Sequence, residues 1–444
     1  MIRLRVAFAV AALLLVATGG GPATVAAASP TFGPAVAGAT FGVGISVEQP
    51  VTLPADVRRV EALVRTADSQ RILVVPIAPP AAGAATLRYE FATALGSLWP
   101  NTLVELGFRV TAADGTITEG PTATVRYEDS RFAWRTLEGD QVRVHWSEGG
   151  EAFGRRILAI GEDAVARATS LLGVDDGRPI DFFVYADDGA FQDVLGPGSR
   201  ENVGGVAPVG LRTLFASIGS TNVDDPWVGI VVPHELTHVV FETATANPYH
   251  EAPHWLNEGL ATYLAEGYSP GRRASVDRAV GDGSIMPLHA LVGAFPTTSA
   301  RFSLGYAESV AAVDFMIRTY GQDALVRLIR SYAAGVTDDE AFESALGVDV
   351  TGFEAGWFDD LEIEPPAPFG PQPAPSGPVP PGWEGGAPVP GSSGAPPTAP
   401  PAPGGDDPGL SSLTEIVLVG VLLLVVAILV AVRLRRPVRP GAGS

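Results

Sequence analysis

The chain has 444 residues, a net charge of −20 and no cysteine, and all of its 29 Lys+Arg positions are Arg. The charge excludes nucleic acid and anionic lipid surfaces as electrostatic partners. The missing cysteines exclude disulfide staples, which a chain this long does not need to bury adequate cores.

In chain order, Arg3 and Arg5 precede an apolar run over 6–17 and then small residues through Ala28, which predicts a cleavable signal peptide over 1–28. Residues 32–130 carry alternating or β-branched runs at 57–64, 86–91, 102–111 and 116–126, punctuated by Pro and Gly, with Asp114-Gly115 as a hairpin turn. Short strands at that density predict an all-β immunoglobulin-like or fibronectin-like sandwich, without the Cys-Trp-Cys pattern of antibody domains. Its expected role is that of a spacer or stabilising module. From 131 to 362 strands and helices alternate: a strand at 142–146 with His145 as a structural residue, an amphipathic helix at 152–172 closed by Gly173, and a strand at 180–185. Residues 212–218 are expected to form an edge strand beside the active-site helix, where a peptide can add to the sheet.

The chemistry sits in His234-Glu235-Leu236-Thr237-His238. On a helix the two histidines share one face a turn apart and can share one zinc ion, while Glu235 stands about 100° round, placed to take a proton from a zinc-activated water. Pro233, just before the first ligand, is expected either to open this helix as its first residue or to lie within it, with Gly229 four residues earlier easing the clash. A catalytic zinc needs a third ligand and one open position. Glu242, His250, Glu251, His254 and Glu258 are available downstream, whereas position 244, where an elongated HExxHxxGxxH pattern needs histidine, is Ala244. Glu242 continues the histidine stripe and is expected to orient a ligating His or face solvent. His250 and His254 fall on a connecting loop, and His289 has no partner in sequence. Glu258 lies in Trp255-Leu256-Asn257-Glu258-Gly259-Leu260-Ala261, a second helix with Leu256, Leu260 and Leu264 as its buried stripe and Gly267 as its stop.

The two motifs in this order resemble the gluzincin metallopeptidases, and most closely the peptidase MA-like family. That resemblance implies a zincin-like α+β domain over 131–362, one Zn2+ held by His234, His238 and Glu258, and Glu235 as the general base. It is most specific between His234 and Gly267. The Asp that follows the ligating Glu by four residues in the thermolysin branch is replaced by Thr262, so the support of the ligands must differ. Tyr306 is a candidate donor to the oxyanion, with core packing at a helix start as the competing role.

Helices are expected at 304–320, 323–334, 339–346 and 353–361, followed by a Pro/Gly-rich tether over 363–410 that has too few apolar anchors to fold. Residues 412–433 contain an apolar run, 416–432, long enough for one membrane span, and Arg433, Arg435, Arg436 and Arg439 mark the tail over 434–444 as cytoplasmic. The expectation is a single-pass, extracytoplasmic zinc metallopeptidase acting on peptides or proteins. The alternative is a catalytically silent surface scaffold that binds through its β-sandwich. The presence of Glu235 argues against that alternative, since metal binding alone needs no such carboxylate.

Overall fold

The computed structural model describes residues 29–66, 72–174, 177–197, 204–208 and 210–366. The signal peptide, nearly all of the tether, the apolar segment at 416–432 and the basic tail lie outside the described residues. Among those described, no helix is long and apolar enough to cross a membrane.

The N-terminal part is β-rich. Its strands are β1 (Thr31–Phe32), β2 (Val36–Thr40), β3 (Gly44–Leu53), β4 (Val57–Thr66), β5 (Ile72–Ile77), β6 (Gly83–Ala92), β7 (Thr102–Ala112), β8 (Ile117–Glu119) and β9 (Ala123–Tyr127). All pairings are antiparallel: β3 joins β1, β2 and β6 in one sheet, and β4 and β7 join β5, β8 and β9 in the other. The period-two alternation does what it should. Ile45, Val47, Val51 and Leu53 of β3 point inward against Val60, Ala62 and Val64 of β4 and Val104, Leu106, Phe108 and Val110 of β7.

A five-stranded sheet follows, in the order β10-β11-β12-β14-β13, from β10 (Arg135–Glu138), β11 (Val142–Trp146), β12 (Ile180–Tyr185), β13 (Gly205–Val206) and β14 (Thr213–Ser217). Its β11–β12 and β12–β14 pairs are parallel, with α1 (Glu151–Leu172) in the β11–β12 crossover and α2 (Asp188–Leu195) after β12. Gly154 lets α1 settle on Trp146, whose ring carbons would stand 2.7 Å from a Cβ there. Then come α3 (Val228–Thr245), α4 (His254–Glu266), α5 (Pro270–Asp282), α6 (Ser299–Tyr320), α7 (Gln322–Ser331), α8 (Asp338–Leu346) and α9 (Val350–Asp360). α1 and α3 cover one face of this sheet, with Val142, Val144, Ile157, Val165, Leu214, Val232 and Leu236 in one core.

One expectation needs correction. Residues 212–218 do not form the sheet edge: β14 lies between β12 and β13, and among the described residues the edge is the two-residue β13. Of the two roles expected for the β-rich part, spacer or stabilising module, its packing fits the second. Tyr185 of β12, Phe215 of β14 and Phe191 and Val194 of α2 belong to the same buried cluster as the β3, β4 and β7 side chains. Burying four large side chains is worth about 1.5–3 kcal/mol each, comparable in sum with the ~5–15 kcal/mol that holds a whole domain together. Asp129, 2% exposed, locks the junction by accepting from the Tyr185 hydroxyl at 3.1 Å and Arg131 Nη2 at 2.8 Å.

Candidate metal centre

α3 runs from Val228 through Pro233 without ending, so the proline neither opens nor terminates the helix. Gly229, four residues back, is not what admits it: the ring of a helical proline meets the carbonyl there rather than a side chain, and a Cβ on Gly229 would meet nothing within 4 Å. Thr237 Oγ1 donates to the Pro233 carbonyl at 2.7 Å and steadies the turn that carries the histidines. Leu236, Val239 and Val240 bury the opposite face. After the loop, α4 brings its own polar position back against α3, and a close approach with α6 fixes its depth: a Cβ on Gly259 would sit 2.5 Å from the Ser309 carbonyl oxygen.

Three donor atoms converge where these helices face each other. His234 Nε2 is 3.1 Å from Glu258 Oε2 and 3.1 Å from His238 Nε2, and His238 Nε2 is 3.5 Å from Glu258 Oε2. His234, His238 and Glu258 thus form a group able to hold a metal ion. The donor set fits zinc: bonds of about 2.0–2.1 Å in a tetrahedron place neighbouring ligands about 3.4 Å apart. A second observation agrees. His238 Nδ1 lies 2.9 Å from Asn257 Oδ1, which can only accept, so Nδ1 carries the proton and Nε2 is the nitrogen that faces the cluster.

The electrostatics favour a cation here. Burial works against charge on His238, yet the Glu258 carboxylate, with help from Glu235 and Asn257, pushes its pKa up to about 9. Burial would likewise raise Glu258, but the charge of His238 and the hydrogen bonds from both histidines hold it far below the usual carboxylate range. Without metal, a proton shared by the cluster supplies the positive charge that the buried carboxylate demands.

Glu235 is half-buried on α3 and faces the sheet edge: a Cβ on Gly205 of β13 would stand 3.1 Å from its Cγ. Tyr306 lies in the second turn of α6, its ring 5.9 Å from that of His234 and packed on Phe295 and Phe302 at 5.1 and 5.2 Å. It therefore borders the centre and the core at once.

The remaining candidates go elsewhere. Glu242 does not orient a histidine; it accepts from the Gly210 backbone N at 2.7 Å and pins the loop before β14. His250 bonds Asp338 at 2.9 Å and His289 bonds Glu354 at 3.1 Å. His145 joins Thr136 and Asp181 within the sheet. Thr262 is buried, with its hydroxyl lacking a hydrogen-bond partner among the described residues, and supports no ligand. One neighbour escaped the sequence reading: Asn257, although its place one residue before Glu258 was a signal. His254, a candidate expected on the connecting loop, opens α4 instead, with Nε2 3.5 Å from Glu258 Oε1.

An HExxH helix beneath a mixed sheet, completed by a Glu on the following helix, defines a peptidase-type α/β domain. Residues 160–362 match the model of the Peptidase MA superfamily, consistent with a peptidase MA-like domain over that stretch. No curated protein matches the sequence. Among solved structures, an aminopeptidase N family protein from Idiomarina loihiensis is similar at 11% identity and a TM-score of 0.36, over 74% of this chain and 72% of that chain. A likeness that loose carries no argument about activity.

Proposed function

We propose that this protein is a zinc-dependent peptide hydrolase, held at the outer face of a membrane by the apolar segment over 416–432. The observation that carries the chemistry is the convergence of His234, His238 and Glu258, with ligand atoms within 4.8 Å of one another and Glu235 beside them. Zinc bound by these three residues would polarise the scissile carbonyl and make a water acidic enough to attack at neutral pH. Glu235 accepts the proton of the attacking water and delivers it to the leaving amine. Asn257 holds the His238 ring in the tautomer that presents Nε2. The substrate backbone lies along β13, the outermost strand of this sheet among the described residues, adding a strand to the sheet above α3. Tyr306 donates to the developing oxyanion from the α6 side.

The test is Glu235→Gln, which keeps size and shape but cannot accept a proton. Zinc content should be retained, while turnover of a peptide found by library profiling falls by about 10²–10⁴-fold. Equal turnover at equal zinc loading removes Glu235 from the mechanism. Zinc binding by the wild type with no hydrolysis of any peptide favours a silent scaffold.

A further inference from the structure

The edge strand β13 is too short to place itself. Two residues pair with β14, Gly205 opposite Ala216 and Val206 opposite Phe215, and the Ser217 amide donates to the Gly204 carbonyl at 3.1 Å. Strands in folded proteins usually run several residues longer. Something else must therefore set its height above α3, and that height matters. Gly205 lies so close to α3 that an added Cβ would stand 3.1 Å from both Glu235 Cγ and Val231 Cγ1.

The opposite face of the sheet supplies the support. His145, Phe183 and Phe215 occupy paired positions on β11, β12 and β14, and the same row ends on Val206. The rings stack in sequence: His145 on Phe183 at 4.2 Å, and Phe183 on Phe215 at 5.6 Å. Trp99, from the β6–β7 loop of the β-rich part, stacks on Phe215 at 5.9 Å, directly across the ladder from Val206. This loop is itself fastened. Asn101, buried and left-handed at φ 69°, a conformation Asn tolerates better than most residues, donates through Nδ2 to Asp181 Oδ2 of β12 and Thr213 Oγ1 of β14, both at 2.9 Å. At the other end of the loop, Gly96 meets Gly196 at the end of α2 backbone to backbone, where a Cβ on Gly96 would fall 2.0 Å from the Gly196 Cα.

We propose that the β6–β7 loop of the N-terminal β-rich part is a positioning element of the peptidase cleft, with Trp99 holding β13 at its working distance from Glu235. This rests on the reading of β13 as the substrate-binding edge. It makes the N-terminal part a component of the catalytic unit, acting on substrate affinity without touching substrate or metal.

The experiment compares wild type, Trp99→Ala and Trp99→Phe as full-length chains, with Arg88→Ala, an exposed residue of β6, as the control. Amide exchange is followed at Ser217 and over 204–206, together with zinc affinity and the kinetics of a library-derived peptide. A ring contact of this kind is worth up to about tenfold in an opening equilibrium. Trp99→Ala should therefore speed exchange at these amides by up to about tenfold and raise KM by a similar factor. Zinc affinity and kcat should hold, as expected when uniform substrate binding is lost. Trp99→Phe should restore most of both, and Arg88→Ala should change neither. Unchanged exchange at Ser217 and 204–206 in a folded Trp99→Ala overturns the proposal, as does faster exchange with KM unmoved, which would make Trp99 merely structural. If Trp99→Ala does not fold, Trp99→Leu carries the same comparison. If the wild type cleaves no peptide, the peptidase reading falls, while the exchange data still decide whether Trp99 holds the strand.

Discussion

Glu308→Gln isolates one buried charge. Glu308 sits on α6 with 0% exposure; its Oε1 accepts from the Met286 backbone N at 2.9 Å, and its Oε2 has no hydrogen-bond partner among the described residues. Burial, only partly opposed by that hydrogen bond and by Arg301, lifts its pKa from 4.5 to about 8. The folded protein therefore keeps the proton across a pH range in which the unfolded chain releases it, so stability falls as pH rises from about 4.5 to about 8. Between pH 4.5 and 7 the loss amounts to roughly 3 kcal/mol at about 1.4 kcal/mol per unit. Gln retains the acceptor for Met286 and cannot ionise, so it loses nothing over that interval. Urea unfolding of wild type and Glu308→Gln should coincide near pH 4 and separate progressively, with the variant more stable by about 3 kcal/mol at pH 7. Parallel stability curves across pH 5–8 would refute the idea that Glu308 is held protonated.

Asn257→Ala should weaken zinc binding by about 10–100-fold, because it frees the His238 tautomer, while the fold measured by circular dichroism stays intact; unchanged affinity in a chelator competition would show that Asn257 does not orient the ring. Protease added to intact cells should release a large fragment by cutting in the Pro/Gly-rich segment over 363–410. Cleavage seen only after lysis would reverse the proposed orientation.

The two helices that carry the candidate metal ligands were legible because both readings rest on local patterns: a pair of histidines four apart, and Leu256 and Leu260 buried behind Glu258. The sheet edge was not. Thr213, Leu214, Phe215 and Ala216 are buried in a continuous run, which is the mark of an interior strand covered on both faces rather than of an edge. The true edge, Gly205–Val206, is too short for any periodicity to reveal. α5 also went unread: its interior has almost no apolar face, although Ser269 caps it, Pro270 opens it and Gly283 closes it in the left-handed conformation. The shared core was out of reach in principle, since pairing Trp99 with Phe215 requires knowing which strand faces are left open.

That shared core also has a consequence in time. Asn101 and Thr213 are 112 residues apart, and the first must wait for the second. A nascent chain can pair β3, β4 and β7 early, but the end of that β structure which receives Tyr185, Phe191, Val194 and Phe215 stays wet until the sheet of β10 to β14 closes. Contacts this distant in sequence form late, after their loop-closure entropy has been met. The half-finished molecule is then most exposed to aggregation and proteolysis just before its cleft acquires an edge.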